Sequence, residues 1–341
     1  VTTATTSARR RTRGTASRFV DRDLTARIAL SVVIVVVAAF LIPGFGSLNN
    51  VAALLQVLAP IGIAALGVGL TMIAGEFDLS IGSSAVLGGV LAIRFADAGP
   101  VAALLIPLVV GGVLGALQGL LISWLKISSL VVTIGTLILF QGAAYIIANE
   151  SSVSLTNFDL GVALSTRYWI FTPMSLIFLV LAVLVWLFLH YTRLGHEMYA
   201  IGGGRREATA SGVSARRPLV VAFAFSACMG ALTGALVSLS AGGATPTGFS
   251  DVLLTSIAAA VIGGVALSGG RGNTWGIVLG ALALAVISNA ITVLGAPVFV
   301  TDFLTGALLL AALAAEMLSG RPLRRTSASS SLPSNRKETQ R

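Results

Sequence analysis

Within the stretch GEFDLSIGSS, residues 75–84, two carboxylates and three serines interrupt some of the most apolar sequence in the chain. An ionised carboxylate near the centre of a membrane-spanning helix costs about 2.5–3.5 kcal/mol on insertion scales, so Asp78 requires a compensating role. Two roles are open. Gly75 can end one helix while Asp78 or Ser80 caps the next, a side-chain oxygen accepting the free N–H groups at its start. Alternatively, a break here sets Asp78, Ser80 and Ser83 beside a wet passage, since irregular backbone at membrane depth survives only against protein or water. Carboxylates and hydroxyls suit a neutral polyol, and one residue can serve both ends. Glu76 reads as a solvated interface residue. Other polar side chains stand in apolar runs: Gln141, Tyr145 and Asn149 along one helical face, and Ser288, Asn289 and Thr292 further on. They fit interhelical hydrogen bonding or the lining of the same passage.

The chemistry that the chain lacks narrows the function. Its two lysines, Lys126 and Lys337, do not follow glycine, so there is no G-x-x-x-x-G-K-[ST] nucleotide loop. Gly202-Gly203-Gly204 is not a dinucleotide fingerprint, because the third glycine of that pattern falls at Glu207. His196-Glu197 begins like a zinc-protease motif, but the second ligand position is Ala200. With His190 and His196 as the two histidines, neither a metal site nor a catalytic residue is assigned, and the chain is expected not to be an enzyme. Cys228, the lone cysteine, has no partner for an intramolecular disulfide.

The elements that must position these residues are membrane helices. Of the 341 residues 56% are hydrophobic and 10% charged, and mean hydropathy is +0.95. Apolar runs near the roughly 18 residues needed to cross hydrocarbon recur along the chain. About ten spans follow: Ile28 to Ile42, Val51 to Ala74, Leu79 to Ile93, Val101 to Leu125, Leu130 to Ala148, Phe171 to His190, Pro218 to Ala241, Val252 to Leu267, Trp275 to Leu294 and Phe299 to Leu318. The fold class is therefore all-α, a polytopic helical bundle spanning 27–318. With both termini cytoplasmic, twenty of the 22 basic residues fall on the inside, leaving Arg94 and Arg167. That asymmetry obeys the positive-inside rule and explains the net charge of +9 without nucleic acid. The tails, 1–26 and 319–341, are rich in Ser, Thr and Arg and read as disordered. Gly111, Gly115 and Gly119, then Gly230 and Gly234, then Gly272, Gly276 and Gly280 recur every four residues, a spacing that lets helix backbones approach closely.

The longest inside connection, 191–217, holds three glycines before RREATAS and Gly212 after it. That reads as a two-turn helix with permissive backbone at both ends, too short to be stable alone and in need of a partner surface. The segment AIGGGRREATASGV resembles the A-I-G-G-N-x-x-A-A-x-x-S-G-I pattern of the ribose-type permeases of bacterial ABC sugar importers. GEFDLSIGS, VVTIGTLILFQG and AAAVIGGVALSGGRGNTWGIVLGAL are similar to three further patterns of that family, in the same order. The departures are Glu76 for a common glycine, Gly204 for Asn and Thr209 for alanine.

The resemblance implies a pore subunit in the bacterial cell membrane, working as two copies or with a sibling permease. It implies that ATP and Mg are bound by partner cytoplasmic ABC ATPase subunits, with no cofactor on this chain. An extracytoplasmic sugar-binding protein would deliver the solute, and the exposed connection 149–169 is the expected docking surface. Gly203, Arg205, Glu207, Ala208, Ser211 and Gly212 would form the ATPase-coupling element. Asp78, Ser80, Ser83, Thr133, Gln141, Tyr145 and Asn289 are the expected pathway residues. An ion-driven secondary transporter is the alternative.

Overall fold

The computed structural model describes residue 25 and residues 27–318 except 30, 250 and 298. The expected tails lie outside the described residues, save for position 25. Helices α1 (Arg27–Leu41), α2 (Leu48–Ile73), α3 (Ile81–Arg94), α4 (Pro100–Leu125) and α5 (Ser129–Ala148) form the first half. A short α6 (Asp159–Ser165) precedes α7 (Pro173–Tyr191), α8 (Arg193–Gly203) and α9 (Arg205–Ala210). Then come α10 (Arg216–Ala241), α11 (Val252–Ile262), α12 (Thr274–Val293) and α13 (Phe299–Leu318). Two short strands, β1 (Val153–Ser154) and β2 (Gly243–Ala244), pair antiparallel with Val153 opposite Ala244.

Among the described residues six helices, α2, α4, α5, α7, α10 and α12, are long and apolar enough to cross a membrane. Shorter apolar helices, α1, α3, α11 and the Phe299–Ala312 stretch of α13, stand where the sequence marks the other spans. Local chemistry sets several starts. The Ser47 hydroxyl accepts the Asn50 N–H ahead of α2, and Thr172 and Ser175 form a reciprocal capping box at α7, with Pro173 in its first turn. Asn273 Oδ1 accepts the Trp275 N–H at the start of α12.

Helix α10 is the centre of the bundle, enclosed by α2, α3 and α4. The glycine repeats bring these backbones together. A Cβ on Gly111 would lie 2.7 Å from the Ala227 carbonyl oxygen, one on Gly119 2.7 Å from Val220 Cα, and one on Gly230 2.8 Å from the Ile81 carbonyl oxygen. Gly234 faces the Ala85 carbonyl, closer still.

These contacts also make α10 a ruler. Its 26 residues extend about 39 Å at 1.5 Å per residue. Ile81 is level with Gly230, so α3 begins about 21 Å from the Arg216 end, near the middle of the bundle. Helix α11 also begins at depth. Among the described residues between β2 and α11 there is no helical ladder, and a Cβ on Gly82 would touch the Phe249 carbonyl oxygen at 3.3 Å and Leu253 Cβ at 3.7 Å. The sequence reading carried this span on to Leu267; the helix stops at Ile262, where Gly264 takes φ +82°. Apolar Val265 and Ala266 are buried in the turn that follows, which hydropathy alone cannot separate from helix.

Replacing Gly234 by alanine should overpack the α3–α10 seam, at about 1–3 kcal/mol, and lower the melting temperature of the detergent-solubilised protein. Gly142→Ala, on α5 where a Cβ meets nothing within 4 Å, should leave it unchanged or higher. Equal melting curves for the two variants would contradict the packing described.

Candidate functional site

The break between α2 and α3 buries a polar cluster. Asp78 is 1% exposed, and its Oδ1 accepts the Ser80 N–H at 2.9 Å, the Ser80 hydroxyl at 2.6 Å and the Gln118 amide at 3.3 Å. Ser80 Oγ also lies 3.2 Å from Gln118 Oε1, but its single hydrogen belongs to the shorter contact with the carboxylate. Asp78 Oδ2 is equally buried and has no hydrogen-bond partner among the described residues. Of the two capping candidates, Asp78 takes the N–H just ahead of α3, whereas Ser80, at the N-cap position, makes no side-chain cap. One oxygen thus orders the helix start and the other is left over for the interior.

The remaining pathway candidates divide into two groups. Ser83 donates its hydroxyl back to the Ser80 carbonyl at 2.8 Å, within the same turn. The Phe77 N–H reaches Ser129 Oγ at 3.4 Å, which ties the break to the start of α5, and Thr133 is buried one turn further along that helix. Gln141 and Tyr145 are half-buried farther up α5. Asn289 is buried on α12, which packs chiefly on α2, α7 and α11, so it stands in a different seam from Asp78. Gln118 did not enter the sequence-derived set. It is the single amide in the apolar run of α4, which is the signal that identifies it.

The second feature lies at the Arg216 end. Helix α9 covers six residues, shorter by one than RREATAS, and closes through Gly212 at φ +84°, with the Val213 N–H bonded to the Ala208 carbonyl at 3.0 Å. Gly203, Arg205, Glu207, Ser211 and Gly212 are exposed, while Ala208 is buried and anchors the helix to the bundle. Ahead of it, α8 starts on the Thr192 hydroxyl and carries Tyr199, whose OH donates to the Gly272 carbonyl at 3.0 Å. Burial pushes the Tyr199 phenol up to about 12, so it is a neutral donor at physiological pH.

Three chain segments meet at glycines beside α9. The Gly270 N–H bonds the Ile73 carbonyl at 2.9 Å, and Cβ positions on Gly75 and Gly269 would fall 3.1 Å from Gly202 Cα and 2.6 Å from Gly75 Cα. Gly75 and Gly269 both have φ near +80°, which favours glycine besides. The end of α2, the end of α8 and the turn after α11 are thereby locked together. Glu76 completes the link. Its carboxylate pairs with the Arg205 guanidinium, and its side chain is 12% exposed against 45% for Arg205. The expectation of a simply solvated Glu76 is therefore corrected.

The family described as branched-chain amino acid transport system / permease component matches residues 50–313. The ribose import permease protein of Bacillus subtilis (strain 168) is 31% identical over 284 residues, covering 82% of this chain and 88% of the relative. The D-allose transport system permease protein of Escherichia coli (strain K12) is 29% identical over 294 residues, covering 83% and 90%. The xylose/arabinose import permease protein of Sulfolobus acidocaldarius is 32% identical over 273 residues, covering 76% and 75%. No solved structure matches the chain.

Asp78→Ala should strand the Ser80 N–H and the Gln118 amide at a cost of about 1–3 kcal/mol, while Asp78→Asn keeps an acceptor at Oδ1. Thermal unfolding in detergent should therefore place Asp78→Ala several degrees below both Asp78→Asn and the parent. A parent-like Asp78→Ala would mean that the carboxylate does not order the start of α3.

Proposed function

The chain belongs to the branched-chain amino acid transport system / permease component family, and from that premise we propose that it imports a monosaccharide or a similar small polar solute. It is a multi-pass membrane permease of the ABC importer type, and hydrolysis of ATP with Mg falls to partner ATPase subunits. The substrate class is supported by the ribose, D-allose and xylose/arabinose permeases to which the chain is similar. In our reading ten spans cross the membrane with both termini cytoplasmic, which puts α8, α9 and the glycine junction inside and the β1–β2 pair outside. A second permease copy, identical or sibling, completes the pore. An extracytoplasmic binding protein delivers the solute to the outer surface, where 149–169 contributes α6 and β1.

The observation that carries this reading is the setting of α9: exposed at the surface yet tied at its first residue, through Arg205 and Glu76, to the break that holds Asp78. Closure of the ATPase pair would press on Glu207, Ser211 and Gly212, and Gly203 would give the turn its freedom. Buried Ala208 would transmit the displacement into the bundle. The junction at Gly75, Gly202 and Gly269 leaves no slack, so movement of α8 and α9 must move the ends of α2 and the turn after α11 with them. Asp78, Ser80, Ser83 and Thr133, with Gln141 and Tyr145 above them on α5, form the inner part of the pathway. Asn289, in its separate seam, serves helix packing in this scheme.

Purification from native membranes in mild detergent should recover a P-loop ATPase in stoichiometric amount. Glu207→Lys or Gly212→Pro should abolish solute-stimulated ATP hydrolysis with membrane insertion intact, and normal stimulation in both would refute the coupling assignment. Charge reversal at either partner of the inner pair, Glu76→Arg or Arg205→Glu, should lower stimulated turnover about tenfold, equivalent to about 1.4 kcal/mol of coupling, and the double reversal should restore most of it. Additive losses in the double variant would show that the pair transmits nothing.

A further inference from the structure

Residues 245–249 and Asp251 place polar groups and irregular backbone where the membrane interior should be. Phe249 and Leu253 lie against Gly82, one residue beyond the level of Gly230, and the Phe249 ring reaches the Cβ position of Gly89 at 3.3 Å. Gly230 is about 21 Å along α10 from its Arg216 end, so α11 starts near mid-bundle. Through this stretch the backbone is held by turns, with the Gly248 N–H on the Thr245 carbonyl at 3.0 Å and the Val252 N–H on the Phe249 carbonyl at 3.3 Å. Thr247 and Asp251 are exposed, and among the described residues neither side chain has a hydrogen-bond partner. Leu254, one turn on, is 59% exposed on the same helix.

Lipid cannot cover that surface. A carboxylate at mid-depth and backbone groups outside a helical ladder are both disfavoured in hydrocarbon. Among the described residues nothing else covers Thr247 and Asp251. We infer that Asp251 and Thr247 line the water-filled solute path, and that the Asp251 carboxylate accepts hydrogen bonds from hydroxyl groups of a neutral polyol. The sugar class rests on the function proposed above; the wet placement of residue 251 does not.

The charge arrangement selects the ligand. A half-helix start at mid-membrane attracts anions through its free N–H groups and the positive end of its dipole. Here the position just ahead of α11 is Asp251 itself, whose backbone carbonyl accepts the Thr255 N–H at 2.9 Å. Its carboxylate supplies the negative charge that the helix start favours, leaving acceptors rather than donors facing the path. Hydroxyl donors fit there. Phosphorylated or carboxylated solutes meet like charge and are excluded.

The test uses the full chain with its ATPase in liposomes, supplied with its extracytoplasmic binding protein, in a Cys228→Ser background. Asp251→Cys and Thr247→Cys should react with a membrane-impermeant, charged thiol reagent at least about tenfold faster than Val180→Cys, on the exposed face of α7, because the reactive thiolate forms in water and not in lipid. D-ribose uptake should fall about tenfold in Asp251→Ala and less in Asp251→Asn, which keeps one acceptor, while the ATPase still co-purifies with both variants. Failure of the reagent to reach position 251 would overturn the proposal, as would parent-like uptake by Asp251→Ala. A parent complex that labels at position 251 but takes up no neutral sugar would overturn the sugar reading and with it the hydroxyl contact, leaving the wet placement standing.

Discussion

Close backbone approach around α10 is the constraint on which the rest of the structure depends. In lipid, burying apolar side chains gives no net drive for helix association, so van der Waals contact and interhelical hydrogen bonds must supply it. Glycines on α2, α3, α4 and α10 itself let these helices approach to backbone contact along the length of α10. Once α3 is held at Gly230 and Gly234, its start is fixed near mid-bundle while α2 ends at Ile73, closer to the Arg216 end. Residues 74–80 between them are turn or irregular. Asp78 is thus part of the cost of that register: a break at depth leaves N–H groups that need an acceptor, and its Oδ1 provides one.

The same constraint explains what the sequence made legible. Long spans, the glycine repeats and the helix at Arg205 are local patterns, and each stands within a few residues of its expected place. The short α3 was legible too, because only about fifteen apolar residues follow the carboxylates. What the sequence hid is non-local. Gln118 meets Asp78 across forty residues, and Arg205 meets Glu76 across 129, so neither partner follows from a pattern in one segment. The end of α11 was hidden for another reason: Val265 and Ala266 continue the apolar run while the backbone has already turned at Gly264.

Depth and burial together also separate the polar residues that composition treats alike. Asp78 and Asn289 both stand in apolar surroundings and both keep one oxygen without a partner among the described residues. Yet Asp78 sits at a backbone break tied to α4 and α5, whereas Asn289 sits within an unbroken helix. Only the first has a structural reason to move when its surroundings move, because a break can change backbone angles and a helix interior resists such change.

Glu76 shows how this chain departs from the glycine common at that place in the permeases it resembles. Glycine there would remove the side-chain link and leave the backbone junction of Gly75, Gly202 and Gly269. A glutamate paired with Arg205 adds a side-chain link between the first residue of α9 and a position two residues from Asp78. Between them, the Phe77 N–H bonds Ser129, so a pull on Glu76 acts on a segment pinned to α5 on one side and to Gln118 on the other. An exposed pair of this kind contributes little to stability, but Glu76 is mostly shielded, and a shielded charge resists losing its partner more than an exposed one does. In the coupling proposed for α9, the pair is therefore better suited to transmitting displacement than to holding the fold together, since the glycine junction already does the holding.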